Sequence, residues 1–184
     1  MTREEALALV HAHVDSENLV KHMLATEAVM GALARRLGGD EHQWRLAGLL
    51  HDIDAEETAE DMARHGLRTV EMLRLAGLDD EVVLHCIAAH NPANGSSVNS
   101  AMDRALYACD PLTGLITAAA LIRPERQLAL VSIKSLRKRF KEPAFARGAR
   151  REDILTCEEL GLDLEEFMVI GLQAMQEVSD ELGL

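Results

Sequence analysis

From Leu19 to Leu37 the apolar residues Leu19, Val20, Met23, Val29, Met30, Leu33 and Leu37 return at near-helical spacing until Gly38-Gly39 stops them. The same rhythm, not a period of two, governs almost the whole chain. A chain written this way buries one stripe of each helix and has no pattern from which to build a sheet, so the expected fold class is all-α. The β-branched run Val131-Ser132-Ile133 is too short to imply a strand pairing. Thr2 and Glu5 have capping-box spacing before Ala6, Leu7, Leu9 and Val10, Ser16 stands ahead of the second helix, and Asp40 stands ahead of a third through Trp44, Leu46, Leu49 and Leu50. A fourth helix is expected from near Thr58 to Gly77, with a break near His65-Gly66, and a fifth from Asp79 or Asp80 to His90, where Asn91-Pro92 ends it. Residues 91–98 are the clearest loop, suited equally to a lid or to a plain exposed turn. A helix to Asp110, another through Leu121, a basic helix around Ile133 to Lys141, and two more around Glu152 to Leu160 and Leu164 to Leu182 complete the reading.

Charge and composition narrow the class. At 184 residues the chain is long enough for one domain with a substantial core, and 48% apolar with 27% charged residues fits a soluble globular protein. The apolar stretch Leu115 to Ile122 is far shorter than the roughly 20 residues that span a bilayer. Thr2-Arg3-Glu4-Glu5 lacks the basic start of a secretory signal, so a cytoplasmic location without membrane association is expected. The net charge of −12 argues against general nucleic-acid binding, yet Lys134 to Arg151 carries a local +7 and leaves −19 for the rest. That segment reads as a solvated face or as a phosphate-recognition surface. Cys86, Cys109 and Cys157 are far apart and odd in number, which suits core packing better than a disulfide or zinc clip.

The chemistry concentrates where the apolar run Leu46-Ala47-Gly48-Leu49-Leu50 ends in His51-Asp52, with His22 on an earlier helix and Asp110 on a later one. Imidazole and carboxylate together suit a divalent ion such as Fe, Mn, Co or Zn. Such an ion makes a nucleophile of water near neutral pH. Neighbouring helical residues project about 100° apart, so His51 and Asp52 can share an ion only if it lies close to the helix end. Asp110 precedes Pro111, whose ring disfavours helical geometry at the residue before it, and this predicts a helix break at that position. His22 alone reads as a satisfied, half-buried histidine; together with His51, Asp52 and Asp110 it reads as a ligand.

The order His, His-Asp, Asp, each inside an apolar block, resembles the HD superfamily of metal-dependent phosphohydrolases over roughly residues 16 to 122. The matching blocks are Lys21-His22, Ala47 through Ile53, and Leu106-Tyr107-Ala108-Cys109-Asp110. One departure is Asp54, which stands where many members have glycine. Arg139-Phe140-Lys141 with Phe145-Ala146-Arg147-Gly148 is similar to the C-terminal part of small stand-alone bacterial HD proteins. The resemblance implies an HD-type helical bundle with additional C-terminal helices: residues 1–122 as the phosphohydrolase domain, and residues 123–184 as a helical extension packed on it. It further implies His22, His51, Asp52 and Asp110 as metal ligands, with His51 and Asp52 at the catalytic centre. One or two divalent ions would be bound (Fe, Mn, Co, Zn, Ni or Mg), with His65 and His90 serving the second and Asp52 bridging the pair. The plainer accounts are a helix-start residue for His65 and a histidine favoured by the helix dipole for His90. His85, five residues from His90, points about 140° away and is expected off the site, as are His11, His13 and His42.

The implied activity is hydrolysis of a phosphomonoester, phosphodiester or phosphoanhydride in a small metabolite, a nucleotide foremost. Lys21, Arg68, Lys134, Arg139 and Arg147 are the basic residues placed to neutralise substrate oxygens. Two other classes remain open. One is a non-catalytic, metal-containing module that senses a nucleotide, and the other is an interaction protein that docks an acidic partner through its basic segment.

Overall fold

In a computed structural model describing residues 1–184, the helices begin where short polar side chains can take their first amides. Thr2 opens α1 (Arg3–His13) with a full capping box, Ser16 opens α2 (Glu17–Leu37), and Asp40 opens α3 (Glu41–Leu50). Gly38, at φ 74°, closes α2 in the left-handed conformation. After α4 (Leu67–Leu75), Asp80 caps α5 (Glu81–Ala89) and Ser100 caps α6 (Ala101–Leu121). The C-terminal part comprises α7 (Ile133–Phe140), α8 (Arg151–Leu155), α9 (Leu164–Glu177) and α10 (Ser179–Leu182). There is no strand, so the fold is all-α. No helix is long and apolar enough to cross a membrane.

Three sequence expectations need correction. The fourth helix does not begin near Thr58. Residues 51–66 wind through successive turns, and α4 starts only at Leu67. The cause is Asp54, whose buried carboxylate accepts the amides of Gly66 at 2.8 Å and Thr69 at 3.0 Å. It thereby serves as the N-terminal cap of α4 from a distant turn, a role that Gly66 has no side chain to fill.

Nor does the chain break at Asp110. α6 runs unbroken for 21 residues with Pro111 inside it. Leu106, Cys109, Leu112, Leu115 and Ile116 are all fully buried along that helix, and this packing outweighs the missing amide and the pre-proline bias. The final expected helix is also divided, at Val178, into α9 and α10.

The core is one continuous apolar cluster drawing on residues from Ala6 to Leu182. α2 lies against α3, α6 and α9, while α6 packs on α5, α7, α8 and α9. Gly48 lets α3 approach α2 closely: a Cβ there would stand 2.8 Å from the Thr26 carbonyl oxygen and 3.0 Å from the Glu27 Cα. This close crossing brings the C-terminal end of α3 beside the first turns of α2. All three cysteines are buried and unpaired, as core packing requires.

Candidate metal centre

Five elements converge on the Asp52 carboxylate. His22 comes from α2, His51 caps the C-terminus of α3, His65 comes from the turns before α4, His90 caps α5, and Asp110 comes from the middle of α6. The two oxygens of Asp52 divide their neighbours. Oδ2 lies 3.4 Å from His51 Nε2 and 3.7 Å from His22 Nε2, whereas Oδ1 lies 3.2 Å from His65 Nε2 and 3.4 Å from His90 Nε2. Asp110 Oδ1 approaches His22 Nε2 at 3.1 Å. Two triads, His22-His51-Asp52 and Asp52-His65-His90, thus share one carboxylate, and each offers ligand atoms within 4.8 Å of one another.

The outer nitrogens of the four rings fix which inner nitrogens carry lone pairs. His51 Nδ1 donates to the Gly48 carbonyl at 2.9 Å, and His90 Nδ1 donates to the Ile87 carbonyl at 2.5 Å. His65 Nδ1 donates to the Asp54 carboxylate at 2.7 Å. The Thr113 hydroxyl gives its proton to the Asp110 carbonyl, so it accepts from His22 Nδ1 at 3.1 Å. With every Nδ1 protonated, each neutral imidazole turns an Nε2 lone pair towards the carboxylates. Lone pairs facing lone pairs repel unless a cation or added protons lie between them. The Nε2 of His51 is fully buried and has no hydrogen-bond partner at all. This nitrogen–oxygen donor set fits a divalent ion.

In the metal-free protein, protons must compensate instead. Burial pulls His65 downwards, but its bonds to Asp52 and Asp54 outweigh this and raise it to about 10. His22 is raised in the same way, against burial, by Asp110 and Asp52. Burial pushes His51 down to about 4, so it stays neutral. Asp52 is held well below the usual carboxylate range: burial opposes ionisation, and the surrounding histidines overcome it.

A family model described as HD domain matches residues 19–121, more than half of the chain. The chain belongs to the HD-domain family. Similar curated proteins are Ribonuclease Y of Oleidesulfovibrio alaskensis, 29% identical over 99 residues that cover 54% of this chain and 18% of that one. Ribonuclease Y of Salinispora arenicola is 24% identical over 166 residues, 90% of this chain and 28% of the relative. Ribonuclease Y of Desulforudis audaxviator is 36% identical over 75 residues, 41% of this chain and 14% of the relative. The chain therefore spans less than a third of the length of these relatives. No solved structure matches it.

A groove of about 210 Å³ opens onto the HD centre beside His65, His90 and Asp110. Its further walls include Tyr107, Arg150 and Asp153, tied together by a 2.7 Å bond from the Tyr107 hydroxyl to Asp153 and a 3.1 Å ion pair between Arg150 and Asp153. Arg150 is thus a cation at the groove that sequence reasoning missed. Its only signal was membership of the basic segment. The basic residues singled out in the sequence lie elsewhere. Arg68 is ion-paired to Glu57 at 2.9 Å and Glu71 at 3.3 Å. Lys134 lines a separate surface groove with Arg137, Lys138 and Lys141. Arg139 is bonded to Glu142 at 2.6 Å and stacked on Phe145, and Arg147 is exposed. Lys21 lines another cavity, on the His22 side.

The remaining histidines lie off the centre. His85 pairs with Asp103 at 3.2 Å, and His11, His13 and His42 are exposed. The loop after His90 is pinned at its start. Asn91 Nδ2 donates to the carbonyls of Met62 at 2.7 Å and His65 at 3.0 Å, and Asn94 Nδ2 also donates to His65 at 2.9 Å.

Proposed function

We propose that this HD protein is a phosphohydrolase of a small phosphorylated metabolite, a nucleotide foremost, and that it works with two divalent ions. The observation that carries the reading is the division of the Asp52 oxygens between two sets of histidine Nε2 atoms. His22, His51, Asp52 and Asp110 would hold one ion, and His65, His90 and Asp52 the other. When bound, such ions supply an activated water and polarise a phosphoryl oxygen, the demands of in-line displacement at phosphorus. The chain's own residues do the rest. Nδ1 bonds to Gly48, Ile87, Asp54 and Thr113 lock the four rings, so the donor atoms are in place before a substrate arrives. Arg150, on the groove wall, would take a non-bridging oxygen of the substrate, while Tyr107, whose one hydroxyl proton goes to Asp153, would hold that wall in place.

A second reading, cleavage of RNA, is favoured by the printed name of the relatives. The net charge of −12 and the small groove of about 210 Å³ weigh against a polymer. The test is phosphate release from a panel of nucleotides, phosphorylated metabolites and short RNAs, with protein loaded separately with Mn, Fe and Co beside Asp52→Ala. Turnover lost in the variant supports the hydrolase and names its substrate class. Silence across the panel with metal confirmed bound overturns it in favour of a sensing module.

A further inference from the structure

A second cavity, about 490 Å³, has His22 of the centre in its wall. It runs between two helices. Asn18, Lys21 and His22 present one stripe of α2, at positions i, i+3 and i+4, and Gly114, Thr117 and Leu121 face it from α6, at i, i+3 and i+7. Arg126 and the chain from Leu182 to Leu184 complete its walls.

We propose that this cavity holds the non-reacting half of the substrate and recognises a second phosphate there through Lys21 and Arg126. The inference rests on the phosphohydrolase reading for the reacting phosphate, and on separate observations for the second. In a chain of net charge −12, where most arginines are ion-paired, Arg126 has no carboxylate partner, and Lys21, like the three other lysines, has none either. The Lys21 ammonium lies over Gly183, 3.1 Å from where a Cβ would stand. Arg126 is held at φ 52°, a left-handed conformation rare for a side-chain-bearing residue, at the cavity edge.

Gly114 supplies the independent point. Glycine inside a helix is a standing cost, normally explained by close packing. Here a Cβ would meet nothing within 4 Å. Packing therefore gives no reason for glycine, whereas an unobstructed cavity wall does. Leu121, Leu182 and Leu184 add an apolar face against which a sugar or base can lie, while the two cations answer a phosphate. His22 belongs to both the cavity and the metal centre, so a ligand seated here lies against one of the metal-ligating side chains. The substrate class that fits is a nucleotide with two separate phosphate groups.

The test is calorimetric titration of the Mn-loaded protein with adenosine 3′,5′-bisphosphate and with adenosine 5′-monophosphate, with product assayed at the end of each titration. The bisphosphate is expected to bind about tenfold tighter or more, and Lys21→Met and Arg126→Met each to remove most of that advantage. Gly114→Leu, which adds a better helix former, should abolish the preference without lowering the melting temperature. Equal affinity of the two probes for the wild type, or a preference that survives the three substitutions, overturns the proposal. The two readings fail separately. A preference that depends on Lys21 and Arg126 but yields no product with any metal removes the hydrolase and keeps the site. Product formation with no preference removes the site alone.

Discussion

Asp54 accepts a 2.7 Å hydrogen bond from Nδ1 of His65 while its other oxygen takes the amides of Gly66 and Thr69. One fully buried carboxylate therefore both orients an inner-facing imidazole and starts the next helix. Asp54→Asn keeps the shape but loses the charge that favours donation from Nδ1. We expect it to weaken divalent binding at the His65-His90 half by about 10- to 100-fold and to leave the His22-His51 half close to wild type. Asp54→Ala additionally strands two buried amides, each at a cost of about 1–3 kcal/mol, and should lower the unfolding free energy by more than Asp54→Asn. Metal titration monitored by ion stoichiometry, beside denaturant unfolding, checks both. Two ions of unchanged affinity in Asp54→Asn would refute the orienting role.

The pH behaviour of the metal-free protein follows from His65. Its folded value is raised to about 10 from the ordinary 6.5, so the stability it contributes is fully present below about 6.5 and is lost as pH rises through 10. His51, pushed down to about 4, carries no proton near neutrality. An ion that takes the Nε2 of His65 must displace its proton, so loading at about pH 7.5 should release protons and tighten as pH rises. Calorimetry in buffers of different ionisation enthalpy reads this directly. An apparent binding enthalpy that is the same in every buffer would contradict it.

The helical class and most helix starts were legible because the signals are local: Thr2, Ser16, Asp40 and Asp80 each cap residues two or three positions on. The ligand-type residues were legible by their order, and the structure brings His22, His51, Asp52, His65, His90 and Asp110 together. What stayed hidden depends on contacts across the chain. Asp54 looks like a departure from the family's glycine, and nothing near it in sequence announces that it caps a helix through Thr69, fifteen residues on. Asp110 was expected at a break because the proline bias is local, whereas the burial that keeps α6 continuous comes from the helices packed around it. Which cation lines the groove was hidden for the same reason. Arg68 stands near His65 in sequence but faces two glutamates, and Arg150 reaches the groove from a segment with no sequence proximity to any histidine.

Gly48 offers a test of how far the centre depends on helix packing. Replacing it with alanine gains up to about 1 kcal/mol of helix propensity. Against this, the added Cβ would sit 2.8 Å from backbone of α2, which cannot rotate away as a side chain can. Overpacking costs typically about 1–3 kcal/mol, so the net effect should be destabilising. The same shift moves the carbonyl that holds His51 Nδ1, and metal affinity should fall with stability. A Gly48→Ala protein with an unchanged midpoint and unchanged ion affinity would show that the α2–α3 separation is not critical.

Arg151 controls the groove wall from outside it. Its guanidinium donates to the carbonyls of Phe140 at 3.1 Å, Ala146 at 2.9 Å and Phe145 at 2.5 Å, and also to that of Ala149. It also lies over the Phe140 ring. The loop from Phe140 to Ala149 has little backbone hydrogen bonding of its own, so this planar fork is what closes it. Gly148 and Arg150, at the end of that loop, line the groove. Lysine can satisfy some of these carbonyls but cannot span them in one plane. Arg151→Lys should therefore speed amide exchange across the loop and destabilise the protein by about 1–3 kcal/mol. If Arg150 binds substrate, the same change should raise KM more than it lowers kcat, because the loop, not the histidine cluster, is loosened. Hydrogen exchange and steady-state kinetics on the metal-loaded variant separate these effects. Unchanged loop protection would show that the fork is not what holds the loop, while a fall in kcat alone would place Arg151's influence at the histidines.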